Sequence, residues 1–480
     1  MLSYEHALIW LIGFSIVFAI TGVLYTRHNR ESIEEFIVAR NSQRSTATTI
    51  SLLATSLGAW ILFSPAQAAT WGGIGAVIGY AIGSMAPRLA MIPLGHRMRE
   101  LIPQGHSLTE YIMHRYGKPM YILALIIMMF YLFIALTAEI TAMSKLVALI
   151  TPIPLWITAA IVLLSTLLYT SYGGLRATIF TDKIQMLVIL PLLFLLLAFG
   201  WIAVDGISPT VEQLQATAPQ LLDLTNTIGI KAGLTFFVAI LLTGLFHQGN
   251  WQRIYAAQSN QAMRRGFFMS ALLTMPFIFV MGLFGLAFVA WYPDGDNSVA
   301  LFNVVASVLP LWFVVLLIPL GLALVMSSAD TAISAVSSLI AVDTNRLFPA
   351  LNNTQLINIS RYFVVLLVIP VWYISAKGLS VLYLFLLADL LCSAMAFPVF
   401  YGLYSRRISG IQATLSTITG LVLGLFLFPA PEGSMDYLLE SFLVAALVPA
   451  FLCLLLERFS SKTRDFDFAR LGLIQSIERK

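Results

Sequence analysis

Between Trp312 and Arg346 the chain reads WFVVLLIPLGLALVMSSADTAISAVSSLIAVDTNR. The run is apolar and long enough to cross a bilayer, which takes roughly 20 residues. Yet it carries Ser327, Ser328, Asp330, Thr331, Ser334, Ser337 and Ser338. Residues three or four apart share a helical face. Ser327, Thr331, Ser334 and Ser338 therefore form one stripe, with Asp330 at its margin. A carboxylate in hydrocarbon is costly and ordinarily faces a cavity or a partner. Hydroxyls beside one acid are hard oxygen ligands, suited to sodium by the logic that suits calcium or magnesium. Small hydroxyl residues also make helix–helix packing faces, and this helix alone leaves both readings open.

Other apolar runs hold polar residues too. Glu139 and Asp389 are intramembrane acids; facing a solute, either would favour a cation, a zwitterion or a proton. Arg88, between Pro87 and Pro93, is expected to snorkel inward. Two runs are interrupted. SLLATSLGAWILFSPAQAATW has Gly58, Ser64 and Pro65 in its middle, and FFVAILLTGLFHQGNW has Gly244 and the pair His247-Gln248. Gly/Pro breaks at corresponding positions of two halves point to a transport site. Backbone freed at a break is tolerated only where it lines a cavity or is buried.

The elements that must position these residues follow from composition. Of 480 residues, 59% are hydrophobic and 10% charged, and the mean hydropathy is +0.88. That excludes a soluble domain and predicts an all-α polytopic membrane protein. The net charge of +4 comes from Lys and Arg in short loops and is no nucleic-acid signal. Cys392 and Cys453 lie in apolar segments, so no disulfide framework is expected. About thirteen spans are predicted. The first, 6–25, reads as a retained helix, having no basic leader or cleavage site. Ten follow, here core 1 to core 10: 46–70, 72–95, 119–150, 153–171, 178–203, 230–250, 266–292, 311–342, 357–376 and 379–403. Two more are 409–428 and 436–456, before a polar tail, 458–480. Loops carrying Arg27, Arg30, Arg40, Arg44, Arg97, Arg99, Arg115, Arg176, Arg253, Arg264, Arg265, Arg346, Arg406 and Arg407 alternate with loops poor in Lys and Arg. By the positive-inside rule the N-terminus is outside and the C-terminus cytoplasmic. The loop 97–118 is predicted to hold an amphipathic helix capped by Ser107, with Glu110 at capping-box spacing. A similar piece is expected at 211–222. Gly75, Gly79 and Gly83 in core 2 have the spacing for close helix approach.

At core 5 a family resemblance emerges. SYGGLRATIFTDKIQ (171–185), with Asp182 and Gln185, resembles a signature of the sodium:solute symporter family. QRIYAAQ (252–258), followed by Arg264, Arg265 and Gly266, and MSSADT (326–331), with Asp343 beyond, are similar to two others. The matches run from core 1 to core 8 in order. The resemblance implies a LeuT-type fold, in which cores 1–5 (46–203) and 6–10 (230–403) are inverted repeats of a single transporter domain, with one extra N-terminal and two extra C-terminal helices. It implies a common sodium site made by the carbonyls of Ala54, Leu57 and Leu324 and the hydroxyls of Ser327 and Ser328. A second cation or coupling site falls on Asp182, Asp330 and Thr331. For Asp182 the plainer alternative is a helix N-cap. Asp330 would strengthen a second cation site or carry a proton.

The same resemblance places a solute beside the two breaks, with Ser56, Trp60, Phe63, Thr243, His247 and Gln248 as candidates. Trp60 and Phe63 would cage a solute, or bind a cation through their faces, or simply pack. His247 would bond a carboxylate, titrate near neutral pH, or complete a helix end. Glu139 and Asp389 mark a possible polar pathway. Sugar-transporting members carry Asn and Tyr in core 6 and Lys in core 7; here those positions are Ile240, Thr243 and Thr274, which argues against a sugar. The expected function is sodium-coupled symport of a small organic solute in the plasma membrane. The alternatives are a proton-coupled symporter and a membrane sensor of the same fold. The tail offers no signalling motif. No metal-ligand cluster, Walker loop or nucleophile elbow suggests an enzyme, and no filter motif suggests a channel. The expected partners are the solute, sodium and the bilayer, with no organic cofactor and no obligate protein partner.

Overall fold

The computed structural model describes residues 2–27, 32–305, 309–431, 433–459, 465–475 and 477. Arg30, among the loop charges above, and residues 460–464 of the tail lie outside these. Eleven helices are long and apolar enough to cross a membrane, and Leu155–Ser171 is a shorter apolar one. The remaining span of the expected thirteen is broken. Core 1 runs as helix Ser45–Ser56, a 3-10 turn Ala59–Leu62, and a new helix from Ser64. Among the described residues no strand forms; one isolated bridge joins Gln43 to Ala257.

Helical hydrogen bonding carries core 1 into core 2 within Ser64–Leu101, and core 4 into core 5 within Leu155–Ala203. The chain turns in each at a glycine with positive φ, Gly73 (57°) and Gly174 (52°). Only glycine takes that region without strain. Asp182 is thus inside a helix, well past its start, and is not an N-cap. Core 6 breaks as its sequence suggests: Thr227–Gly244 ends, and Gln248–Ala256 begins behind a His247 cap. Core 7 starts earlier than expected, at Asn260, because Ser259 accepts from Ala262 N and caps it there. Core 8 (Leu311–Leu347) runs one turn longer than expected, and cores 9 and 10 are Asn353–Ser375 and Val381–Tyr401.

Burial sorts these helices. In core 8, 72% of the most apolar window is buried, against 17% in core 9. Core 10 matches core 8 at 72%, so these two are innermost, and core 9 turns Tyr362, Leu366 and Ile369 outward, a face that only hydrocarbon covers without cost. Core 2 packs on core 6 backbone to backbone. A Cβ on Gly79 would sit 2.1 Å from Gly233 O, and one on Gly75 would sit 2.4 Å from Gly229 O. The glycine spacing in core 2 thus serves helix approach. The loop helices form at Leu108–Tyr116 and Ile207–Thr217. Ser107 caps the first by accepting from Glu110 N. The return arm of the capping box goes elsewhere: the Glu110 carboxylate accepts from His106 N. Near the C-terminus, Phe466 and Phe468 fold back under Arg115 and Arg97.

Candidate cation and solute site

Core 1 leaves the helical ladder at Leu57 (φ −90°, ψ 67°). The amide freed at Ala59 donates to Glu139 Oε2 at 2.7 Å. A Cβ on Gly58 would sit 1.9 Å from Glu139 Oε1 and 2.6 Å from Ser328 Oγ. Glycine is therefore required here by space, and Glu139 caps the break rather than standing along an open polar path. Core 8 crosses at this level. Ser327 Oγ donates toward Ala54 O at 3.0 Å and Leu324 O at 2.9 Å. Ser328 Oγ donates to Thr55 O at 3.1 Å. The oxygens of Ala54, Leu324 and Ser327 converge; Leu57 is buried, and among the described residues no hydrogen bond ties its carbonyl to this group. What gathers here, next to an unwound helix, is a group of neutral carbonyl and hydroxyl oxygens, the ligand type that hard cations take.

Asp182 and Asp330 stand close enough to interact with each other, and an arginine stands beside them. Arg253, expected above in a loop, is buried and 1% exposed. Its Nη2 lies 3.2 Å from Asp182 Oδ2 and donates to Thr331 Oγ1 at 2.9 Å and Thr55 Oγ1 at 3.2 Å. Its Nε donates to Ser51 Oγ at 3.0 Å, and Ser51 donates to Asp182 Oδ2 at 2.5 Å. The guanidinium thus ties cores 1, 5, 6 and 8 together. Asp330 accepts from Tyr169 OH at 2.8 Å and Thr181 Oγ1 at 3.1 Å on its Oδ2, and from Thr331 Oγ1, the hydroxyl that also receives Arg253, at 3.4 Å on its Oδ1. Ser51, Thr55, Tyr169 and Arg253 were not among the site residues expected from sequence. One signal pointed to Arg253: a buried acid in core 5 needs a cation, and QRIYAAQ supplies one just past the core 6 break.

A cavity of about 140 Å³ opens between the two breaks. Of the expected solute residues, Ser56, Trp60, Thr243 and His247 line it, and so does Asp389, expected along a polar pathway. Phe63 does not; it packs on Phe302. Gln248 does not either: its Nε2 donates to His106 O at 2.9 Å and its Oε1 accepts from Leu108 N at 3.2 Å. Ile240 and Thr274, two of the positions compared with sugar transporters, also line the cavity. Trp60 stacks on Tyr80 and meets Phe385 edge-on. Arg88, expected to snorkel inward, lines the same space. His247 caps the second half of core 6 by accepting from Gly249 N at 3.1 Å.

The Arg-rich loops are joined to one another. Asn41 N bonds Tyr255 O, Gln43 N bonds Ala256 O, and Gln258 N bonds Gln43 O. Arg99 Nη1 donates to Ile254 O and Ala257 O. Beside this seam His106 is held between Glu34 Oε2 (2.9 Å) and Glu110 Oε2 (3.2 Å), and Arg40 pairs with Glu34 at 2.6 Å. Burial would lower the His106 pKa, but its bonds and charges from Glu110 and Glu34 raise it to about 9. Burial would raise the Glu34 carboxyl, but His106 and Arg40 bring it down to about 2. Folded His106 keeps its proton to about pH 9, against an ordinary 6.5. Its contribution is full below pH 6.5 and disappears as pH rises through 9. That of Glu34 is full above its ordinary 4.5 and disappears as pH falls through about 2. The melting temperature should therefore fall between pH 7 and 10, an effect of at most about 3 kcal/mol. His106→Gln should flatten that slope; an unchanged slope would show that other groups cause it.

The sodium:solute symporter family profile matches residues 36–420. The chain is 26% identical over 438 residues to the spermidine transporter DUR31 of Candida albicans, covering 88% of this chain and 80% of that protein. It is 24% identical to the sodium/glucose cotransporter of Vibrio parahaemolyticus, over 99% of this chain and 94% of the other. It is also 24% identical to the sodium/myo-inositol cotransporter 2 of Sus scrofa, over 65% of this chain, and spans about half (54%) of that protein. Its fold resembles that of a Na+-coupled sialic acid symporter solved substrate-bound and outward-open: TM-score 0.75, 18% identity, 95% of this chain and 99% of that one. It also resembles Mhp1, a nucleobase-cation-symport-1 family transporter, at TM-score 0.57 and 13% identity, over 91% and 96% of the two chains. At these identities the two structures carry the fold alone, a LeuT-type helical transporter with many apolar spans. With more than three-quarters of its length matched by the family profile, this multi-pass membrane protein belongs to the sodium:solute symporter family.

Proposed function

We propose that the protein couples sodium entry to the uptake of a small organic solute other than a sugar, across the plasma membrane, by alternating access. One observation carries the reading: the Ala54, Leu324 and Ser327 oxygens and the solute cavity meet at the same break in core 1. Thr55 and Ser56 line the cavity, while the neighbouring Ala54 and Thr55 carbonyls receive Ser327 and Ser328. Closing core 1 around an ion would therefore reshape the solute wall, which is the differential contact that coupling requires. Ile240, Thr243 and Thr274 offer a sugar few hydrogen-bonding groups. In this reading the Arg-rich loops, joined at Gln43 and Ala256, face the cytoplasm and act as the inner gate.

Asp330 supports a second coupling step. Its partners are hydroxyls, and among the described residues no Lys, Arg or His forms an ion pair with it. In this reading it takes a second sodium or a proton. The test is radioactive sodium uptake into proteoliposomes, with and without an external solute panel including spermidine, glucose and L-alanine. A solute that accelerates sodium entry, together with sodium that drives the same solute inward, is the expected result. Solute uptake indifferent to sodium but driven by a pH gradient would make the protein proton-coupled. Asp330→Asn should lower the sodium Hill coefficient toward one or remove the pH dependence; unchanged profiles in both would make Asp330 a packing residue.

A further inference from the structure

We propose that the solute is a small zwitterion, with its carboxylate held by Arg88 and its ammonium group by Asp389. The inference rests on the central cavity being the solute site. Arg88 belongs to core 2 and follows Pro87, which packs so tightly on the end of core 6 that a Cβ at Gly244 would sit 2.5 Å from it. Arg88 Nη1 donates to Ser84 O at 2.6 Å. Its Nε is buried without a hydrogen-bond partner, and among the described residues no carboxylate forms an ion pair with it. A guanidinium is a planar fork of five donors, matched to a carboxylate. A guanidinium with its Nε unpartnered, on a residue that lines a cavity within an apolar span, is a receptor waiting for an anion.

The opposite charge stands on another wall. Asp389 of core 10 is 7% exposed and lines the cavity. Thr243, at the core 6 break, donates to its backbone carbonyl at 3.2 Å. No cationic side chain among the described residues forms an ion pair with Asp389, and Arg88 is not within ion-pair distance. Tyr131 lines the same cavity and interacts with both charges. The two charges are therefore separate poles of one cavity, and what neutralises both together carries one charge of each sign. A polycation would meet Arg88 as a like charge, a simple carboxylate would leave Asp389 unmatched, and a sugar would leave both unmatched. Trp60, Tyr80 and Phe385 line the same cavity and offer aromatic faces to an ammonium group.

The experiment is a melting-temperature titration of the full-length protein, in sodium chloride and in potassium chloride. The zwitterionic probes are L-alanine, L-proline and glycine betaine. Propionate supplies the carboxylate alone, choline and spermidine the cation alone, and glucose neither. At least one zwitterion should stabilise the protein in sodium, with propionate, choline, spermidine and glucose weaker. Arg88→Gln should weaken that zwitterion by about 10-fold or more, the effect of losing a charged hydrogen bond, and Arg88→Lys should recover part of it. Asp389→Asn should weaken the zwitterion more than it weakens propionate. Preference for spermidine, choline or glucose would overturn the proposal, and so would zwitterion affinity unchanged in Arg88→Gln. Sodium stabilisation to which no zwitterion adds would sink the substrate class and leave symport standing. Zwitterion binding that ignores sodium would do the reverse.

Discussion

Arg253→Gln is expected to abolish uptake and to cost about 3–5 kcal/mol of stability, the usual penalty for stripping one partner from a buried ion pair. Asp182 would be left with Ser51 alone, and its Oδ1 is already buried without a partner. Thr331 and Thr55 would lose their common donor. Asp182→Asn alone should be damaging for the mirror-image reason, an unpaired guanidinium in the same place. The double variant Arg253→Gln/Asp182→Asn removes both charges while keeping their approximate shape. It should regain most of the lost stability, because two neutral amides can bond each other and the surrounding hydroxyls. It should not regain uptake if the pair is broken and remade as core 6 moves. Melting temperatures of the two single variants and the double complete the cycle. Additive losses would show that Arg253 and Asp182 do not interact energetically, whatever their distance.

Ser327→Ala should raise the sodium concentration for half-maximal uptake by about 10-fold or more, the equivalent of roughly 1.4 kcal/mol of lost ion binding. Ser327 Oγ is where the core 1 carbonyl of Ala54 and the core 8 carbonyl of Leu324 meet. Removing it leaves two carbonyls facing each other with nothing between. Solute affinity at saturating sodium should change much less, because Ser327 does not line the cavity. Ser328→Ala should act in the same direction but more weakly, since Ser328 reaches Thr55 O and not that meeting point. Ser337→Ala, lower on the same helix, serves as the control. A sodium curve unmoved by Ser327→Ala would place the coupling ion elsewhere.

Much of this architecture was already determined by the sequence. Bilayer thickness fixes how long an apolar run must be, so hydropathy counts the spans. Glycine and proline in the middle of such runs show where helical hydrogen bonding fails, so the breaks at Gly58 and after Gly244 are local facts. Helical periodicity places Ser327 and Thr331 on one face without reference to any neighbour. The Ser107 cap is local too.

What each face meets was decided by tertiary structure alone. Arg253 precedes Arg264 and Arg265 in the chain, and charge counting groups the three together. Only the packing of the short helix Gln248–Ala256 against cores 1 and 8 turns Arg253 inward to Asp182, 71 residues away. The same turn carries Gln248 away from the cavity to the His106 loop. Arg88 reads as a snorkelling side chain until Pro87 is seen seated on the end of core 6, which leaves the guanidinium facing the cavity. Glu139 reads as a pathway acid until Ala59, 80 residues earlier, presents it with an unpaired amide. Helix formation and membrane insertion depend on neighbours within a turn or two. The partner of a buried charge depends on which helices cross at its depth, and that is set by side chains tens to hundreds of residues apart.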